Sequence, residues 1–135
     1  MRVFLDTNVV IATFITHGTC HDLMEYCLTE HQILLSNHIL EEITENLEKK
    51  FKYPKTEVNT LIEFLRETVT IIPKSTTMPA LCRDKNDNQV LADAEKGNSV
   101  CLITGDKDLL VLIKYNGLSI IKPSEFWKFE KEYTE

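Results

Sequence analysis

Val3-Phe4-Leu5-Asp6-Thr7-Asn8 runs a short apolar stretch into an aspartate. Val100-Cys101-Leu102-Ile103-Thr104-Gly105-Asp106-Lys107-Asp108 does the same near the other end of the chain. Each apolar run is β-branched or aromatic enough to read as a buried parallel strand. In an open α/β sheet, groups just past the carboxyl ends of strands meet in one crevice at the topological switch point. Two aspartates far apart in sequence are therefore expected to share a site. Carboxylates held together in a cleft repel one another unless a cation sits between them. Oxygen ligands of that kind select magnesium or manganese over zinc or copper. The two stretches predict a divalent-metal site built from acidic side chains.

The segments between them alternate in period. Residues 2–5 read as the first strand and 8–14 as the helix it feeds. A second helix fits residues 19–29, with Leu23, Met24, Cys27 and Leu28 at helical spacing. Residues 32–35 form a short strand. Ser36 or Asn37 then caps a helix running to about Lys50, whose apolar stripe is Ile39, Leu40, Ile43 and Leu47. Tyr53-Pro54 breaks it, and Val58, Leu61, Ile62 and Leu65 mark the next helix. A strand at 69–72 stops at Pro73. The polar stretch 74–88 leads into a helix burying Val90, Leu91 and Ala94, which ends at Gly97-Asn98. The strand at 100–103, a short helix with Leu109, Leu110 and Leu112, a strand at 118–121 and a helix opened by Pro123 complete the chain. Strands alternating with helices imply a three-layer α/β/α domain, residues 1–135, around a central, mostly parallel sheet.

Bulk composition narrows the classes. The chain has 135 residues, 43% hydrophobic and 27% charged, which is the profile of a globular domain with a real core. No apolar run approaches the roughly 20 residues that span a bilayer, so no membrane partner is expected and the location is expected to be cytoplasmic. Cys20, Cys27, Cys82 and Cys101 show no paired spacing and are expected to be reduced thiols rather than zinc ligands. The net charge of −6 argues against tight non-specific binding of nucleic acid. Part of that acidity is accounted for if the metal site exists, since bound ions would offset it.

Among the 21 acidic residues, position decides. Asp6 and Asp106 follow strands, where an aspartate can also serve simply as a helix cap. Asp87 precedes the Val90/Leu91/Ala94 helix, and a cap would explain it as well; Asp84, three residues earlier, reads as exposed loop and ranks below it. In the helix after Ser36, Glu45 and Glu48 lie opposite the apolar stripe and Glu41 is nearly as far round. Glu42 falls at the stripe's edge, where a side chain can turn inward.

The ordered set Asp6-Thr7-Asn8, then Ser36 with Glu41-Glu42, then Arg83 with Asp87-Asn88, then Thr104-Gly105-Asp106-Lys107-Asp108-Leu109, resembles the PIN domain. It is most similar to the bacterial, VapC-like branch of toxin–antitoxin toxins, from Arg2 to about Glu125. The resemblance implies a metal-dependent ribonuclease that hydrolyses RNA phosphodiester bonds with Mg²⁺ or Mn²⁺. It implies Asp6, Glu42, Asp87 and Asp106 as the catalytic quartet, with Asp6, Asp87, Asp106 and Asp108 toward the metal. Asn8 and Thr104 resemble residues that orient ligands or a metal-bound water. A cognate antitoxin and a homodimer are implied in the same way. A PIN-fold RNA- or protein-binding module without activity is the competing reading, and the acidic balance favours it. Haloacid-dehalogenase-type phosphatases want a second aspartate where Asn8 stands, and receiver domains want an acidic pair where Asp6 stands alone.

Lys49, Lys50, Lys52 and Tyr53 lie in a run that mixes basic and aromatic residues, as single-stranded nucleic-acid surfaces do. The plainer account is that lysines favour helix C-termini and the aromatics pack locally. His17, His21, His31 and His38 read as ordinary surface or loop residues.

Overall fold

Val3, Phe4 and Leu5 in β1 (Arg2–Leu5) are all buried. Successive strand residues point to opposite faces, so a strand buried throughout must be covered on both sides. The computed structural model, which describes residues 1–134, meets that demand. After β1 come α1 (Thr7–Ile15), α2 (Thr19–Glu30), β2 (Gln32–Ser36), α3 (Asn37–Lys49), α4 (Lys55–Thr68) and β3 (Thr70–Ile72). Then follow α5 (Lys85–Lys96), β4 (Cys101–Ile103), α6 (Lys107–Leu110), β5 (Lys114–Tyr115), β6 (Leu118–Ile121), a 3₁₀ turn (Pro123–Glu125) and α7 (Phe126–Thr134).

The six strands lie in the order β3-β2-β1-β4-β6-β5, and only the β5–β6 pair is antiparallel. Phe4 sits opposite Leu34 of β2 and Leu102 of β4, which fixes the register at the centre of the core. Burying each such side chain contributes roughly 1.5–3 kcal/mol. From β1 the chain steps outward to β2 and β3, then returns to place β4 on the other side of β1. That reversal is the switch point. With the right-handed crossovers that parallel strands favour, the reversal puts the helices before and after it on opposite faces.

Gly97 ends α5 close against the sheet: a Cβ there would lie 2.7 Å from Leu34 Cδ2 and 3.1 Å from Ile72 Cδ1. At the other end, Phe126 of α7 is buried and Tyr26 donates to Glu130 Oε2 at 2.7 Å, tying α7 to α2. No helix among the described residues is long and apolar enough to cross a membrane.

Three elements differ from the sequence reading. The strand β5 was not expected; Asn116 (φ 48°) and Gly117 (φ 86°) form the left-handed pair of a tight hairpin that folds it against β6. Helix α5 starts at Lys85, within the stretch read as a polar lead-in, because Asp84 rather than Asp87 caps it: its carboxylate accepts the Asn86 N–H at 2.9 Å. Leu112 falls just beyond the end of α6.

Candidate functional site

The Asp6 backbone N–H donates to the Ile103 carbonyl at 3.0 Å, so the β1–β4 ladder runs to the lip of the switch point. Asp6 then caps α1, its Oδ1 accepting the Thr7 N–H at 2.8 Å. Its Oδ2 accepts from the Thr104 hydroxyl at 2.7 Å. Thr104 is held by its own N–H, which donates to the Ile121 carbonyl of β6 at 3.0 Å. The same hydroxyl accepts the Asp106 N–H at 3.0 Å. One buried threonine therefore sets the position of both aspartates. Asp106 caps α6 by accepting the Asp108 N–H at 2.9 Å, so both caps are also members of the acidic group.

Helix α3 brings the third carboxylate. Ser36 caps it by accepting the Ile39 N–H, and Ile39, Leu40, Ile43 and Leu47 are buried. That leaves Glu42 half-buried at the stripe's edge, where Oε1 accepts the Thr7 hydroxyl at 2.7 Å. One turn earlier, His38 Nε2 lies 2.5 Å from Asn86 Oδ1 and 3.5 Å from Glu42 Oε1. Thr7, His38 and Asn86 were not singled out from the sequence. The i, i+4 spacing of His38 and Glu42 was the available signal for His38.

Asp87, in the first turn of α5, is buried, whereas its neighbour Asp84 is exposed. Asp87, Asp106 and Asp108 each place one carboxylate oxygen within 4.8 Å of the others. Asp108 is half-exposed and lies 3.9 Å from Arg83. Asp6, Glu42, Asp84, Asp87 and Asp106 line one cavity of about 250 Å³, together with Thr7, Asn8, Asn46, Lys50 and Asn86. Asp108 is not part of that lining. Of the basic run, only Lys50 reaches the cavity. Lys49 pairs with Glu45 at 3.2 Å in a different groove, and Lys52 and Tyr53 are exposed and outside the cavity lining.

Five carboxylates against one lysine leave the cavity strongly negative. Burial first, then the Asp106 and Asp84 carboxylates, push the Asp87 carboxyl up to about 7. The closeness of the Asp87 and Asp106 carboxyls adds to the rise. Burial also raises Asp6, with the Glu42 and Asp106 charges adding, against the lowering effect of the Thr104 and Thr7 hydrogen bonds. A site whose burial and crowded carboxylates favour the neutral form has room for a cation's charge. Its donors are all hard oxygens with free lone pairs. The residues present fit Mg²⁺ or Mn²⁺ and do not fit a thiolate- or imidazole-bound metal.

A family model described as PIN domain matches residues 2–108. No curated protein sequence matches the chain. Among solved structures the chain is similar to VapBC-1 from nontypeable Haemophilus influenzae, with a TM-score of 0.67 and 16% identity, covering 92% of this chain and 99% of that one. It is also similar to VapBC2 from Rickettsia felis bound to a DNA fragment from their promoter, with a TM-score of 0.66 and 16% identity over 89% and 97% of the two chains. A third likeness is to Mycobacterium tuberculosis VapC20, a sarcin–ricin loop cleaving toxin, with a TM-score of 0.60 and 14% identity over 87% and 98%. At these identities the likeness is one of fold.

Proposed function

This chain belongs to the PIN domain family, and on that premise we propose that it is a metal-dependent endoribonuclease, the toxin of a toxin–antitoxin pair. The observation that carries the proposal is the convergence of Asp6, Glu42, Asp87 and Asp106, from four different elements, on one cavity. Fold likeness to VapBC-1 and to a sarcin–ricin loop cleaving toxin supports the choice of a cognate antitoxin and of RNA as substrate; a homodimer is part of the same reading.

In this reading Asp6, Asp87 and Asp106 hold one or two Mg²⁺ or Mn²⁺ ions, with Asp108 close enough to join them. A bound ion supplies an activated water and neutralises charge at the scissile phosphate. The chain does the rest. Thr104 holds the Asp6 carboxylate and the Asp106 backbone, the α6 cap holds the Asp106 carboxylate, and Thr7 turns Glu42 inward, so the carboxylates need little reorganisation when substrate arrives. Glu42, held by Thr7 and flanked by His38, is the residue placed to orient the attacking water or take its proton. Asn8, Asn46, Asn86 and Lys50 are the hydrogen-bond donors of the lining and face a phosphate that carboxylates alone would repel.

The test is cleavage of a labelled single-stranded RNA with Mn²⁺, with EDTA, and by Asp6→Asn. Activity is expected only in the first case. In Asp6→Asn the new amide can donate to the Thr104 hydroxyl while Oδ1 keeps the Thr7 N–H, so the fold should survive. Cleavage that persists in EDTA or in a folded Asp6→Asn protein overturns the proposal.

A further inference from the structure

Residues 49–55 read Lys-Lys-Phe-Lys-Tyr-Pro-Lys and contain four lysines and no carboxylate, in a chain of net charge −6. Helix C-termini favour cations, and that accounts for Lys49 and Lys50. It does not account for the other two. Lys52 sits in the left-handed region at φ 57°. It occupies the turn that ends α3, where the Tyr53 N–H donates to the Leu47 carbonyl at 3.0 Å and the Phe51 N–H to the Asn46 carbonyl at 3.3 Å. Glycine is the favoured residue at such a position, because a Cβ is strained there. Lys55 is the first residue of α4, the end of a helix that disfavours a positive charge.

The aromatics pack on each other but leave much of both rings open. Phe51 is 45% exposed and Tyr53 37% exposed. Their ring centroids are 6.4 Å apart with the planes tilted by 39°. Neither ring belongs to the core or to the partly buried residues packed against it. The chain thus presents two aromatic faces, flanked by lysines that local backbone preference opposes, on a turn pinned by two backbone hydrogen bonds. The segment is continuous with the acidic cavity through Lys50, the one cation lining it.

We infer that Lys50, Phe51, Lys52, Tyr53 and Lys55 form the track along which single-stranded RNA runs out of the cavity. Lys50 meets the phosphate nearest the carboxylates, Lys52 and Lys55 meet phosphates further along, and the Phe51 and Tyr53 rings stack on unpaired bases. Stacking of this kind tolerates any base but needs a single strand, and the lysines supply locally the charge that the protein as a whole lacks. The inference rests on the nuclease reading above and adds the path of the substrate to it.

The experiment uses Asp6→Asn protein with Mn²⁺, so that substrate stays intact, and a fluorescein-labelled single-stranded RNA of roughly ten nucleotides, a length an aromatic and basic groove spans. Binding is read by anisotropy over a salt series, with thermal melting of each variant alongside. Lys52→Gly is expected to melt higher, because the left-handed strain is relieved, yet to bind several-fold more weakly. Its slope of log affinity against log salt should be shallower by about 0.7, the loss of one single-strand phosphate contact. Phe51→Ala and Tyr53→Ala are each expected to weaken binding about tenfold with the salt slope unchanged. Unlabelled duplex RNA should compete poorly. A Lys52→Gly protein that melts higher but keeps its affinity and slope overturns the track, as do aromatic variants that bind normally or a duplex that competes as well as the single strand. Cleavage by wild-type protein, run in parallel on the same RNA, separates the two ideas. If the wild type cleaves and the variants bind normally, only the track is wrong; if the wild type neither cleaves nor binds, the nuclease reading fails with it.

Discussion

The Thr104 hydroxyl donates to Asp6 Oδ2 at 2.7 Å across the seam between β1 and β4, and both residues are buried. The contact joins the two strands whose carboxyl ends define the switch point. It also couples the aspartate at the start of the chain to Asp106, whose N–H the same hydroxyl accepts.

Thr104→Val keeps the shape of the side chain but leaves a buried carboxylate oxygen without its donor. A hydrogen bond to a charged group contributes about 1.5–3 kcal/mol, so urea unfolding of Thr104→Val should show a loss of that order. Cleavage should fall in parallel, because Asp6 and Asp106 lose their common anchor. Thr104→Ser retains the hydroxyl and should recover most of both. Equal stability of the valine and wild-type proteins would mean that Asp6 is positioned by its α1 cap alone.

Mn²⁺ should raise the melting temperature, since an ion bound by the folded cluster has no equivalent site in the dispersed chain. At a hundredfold excess over the dissociation constant the gain is about 2.7 kcal/mol. Asp106 faces both Asp87 and the Thr104–Asp6 pair, so Asp106→Asn should remove most of the shift. A shift that survives intact in this variant would place the metal outside the cavity.

The sequence carried the sheet and the place of Glu42 through periodicity, while the set of four carboxylates was read from the resemblance. Buried strands such as Val3–Leu5 announce themselves as unbroken apolar runs, and helical counting alone brings Glu42 to the edge of the α3 stripe. It was less clear about backbone conformation. Asn116-Gly117 is a recognisable hairpin signal, yet β5 is only two residues long and has no apolar alternation to mark it. Asp84 and Asp87 stand three apart, the spacing of a cap and an acidic residue in the first helical turn, and either can be read as the cap until the hydrogen bond to Asn86 is seen. The contact of His38 with Asn86 joins residues 48 positions apart, which no local pattern encodes.

The raised Asp87 carboxyl gives metal-free protein a characteristic pH dependence. Its ordinary value is 3.8 and its folded value about 7. Between the two, the folded state holds a proton that the unfolded state has released, so stability falls as pH rises through that window and levels off above it. In EDTA the protein should therefore melt higher near pH 5 than near pH 8, and Asp87→Asn should flatten this component. Ions compete with the same proton, so the stabilisation by Mn²⁺ should grow over the same range. An EDTA melting temperature that climbs from acid to neutral pH equally in wild type and Asp87→Asn would show that Asp87 ionises normally in the fold.

Asp84 and Asp87 can be separated by what each does for α5. Asp84 caps the helix and is exposed; Asp87 is buried one turn in, against Asp106. Asparagine caps about as well as aspartate, so Asp84→Asn should change stability little, whereas Asp84→Ala should cost about 1 kcal/mol. Although Asp84 lines the cavity, its Oδ1 is committed to the Asn86 N–H at the cap, so cleavage by Asp84→Asn should stay within a few-fold of wild type. Asp87→Asn removes a charge from the centre of the acidic group without removing the cap. It should leave the metal-free protein as stable or more stable above neutral pH, while cleavage falls by orders of magnitude. The pair of measurements is unfolding in EDTA and initial cleavage rate in Mn²⁺. If Asp84→Asn loses cleavage and Asp87→Asn keeps it, the inward carboxylate of α5 is the one that caps the helix, and the assignment of Asp87 to the metal is wrong.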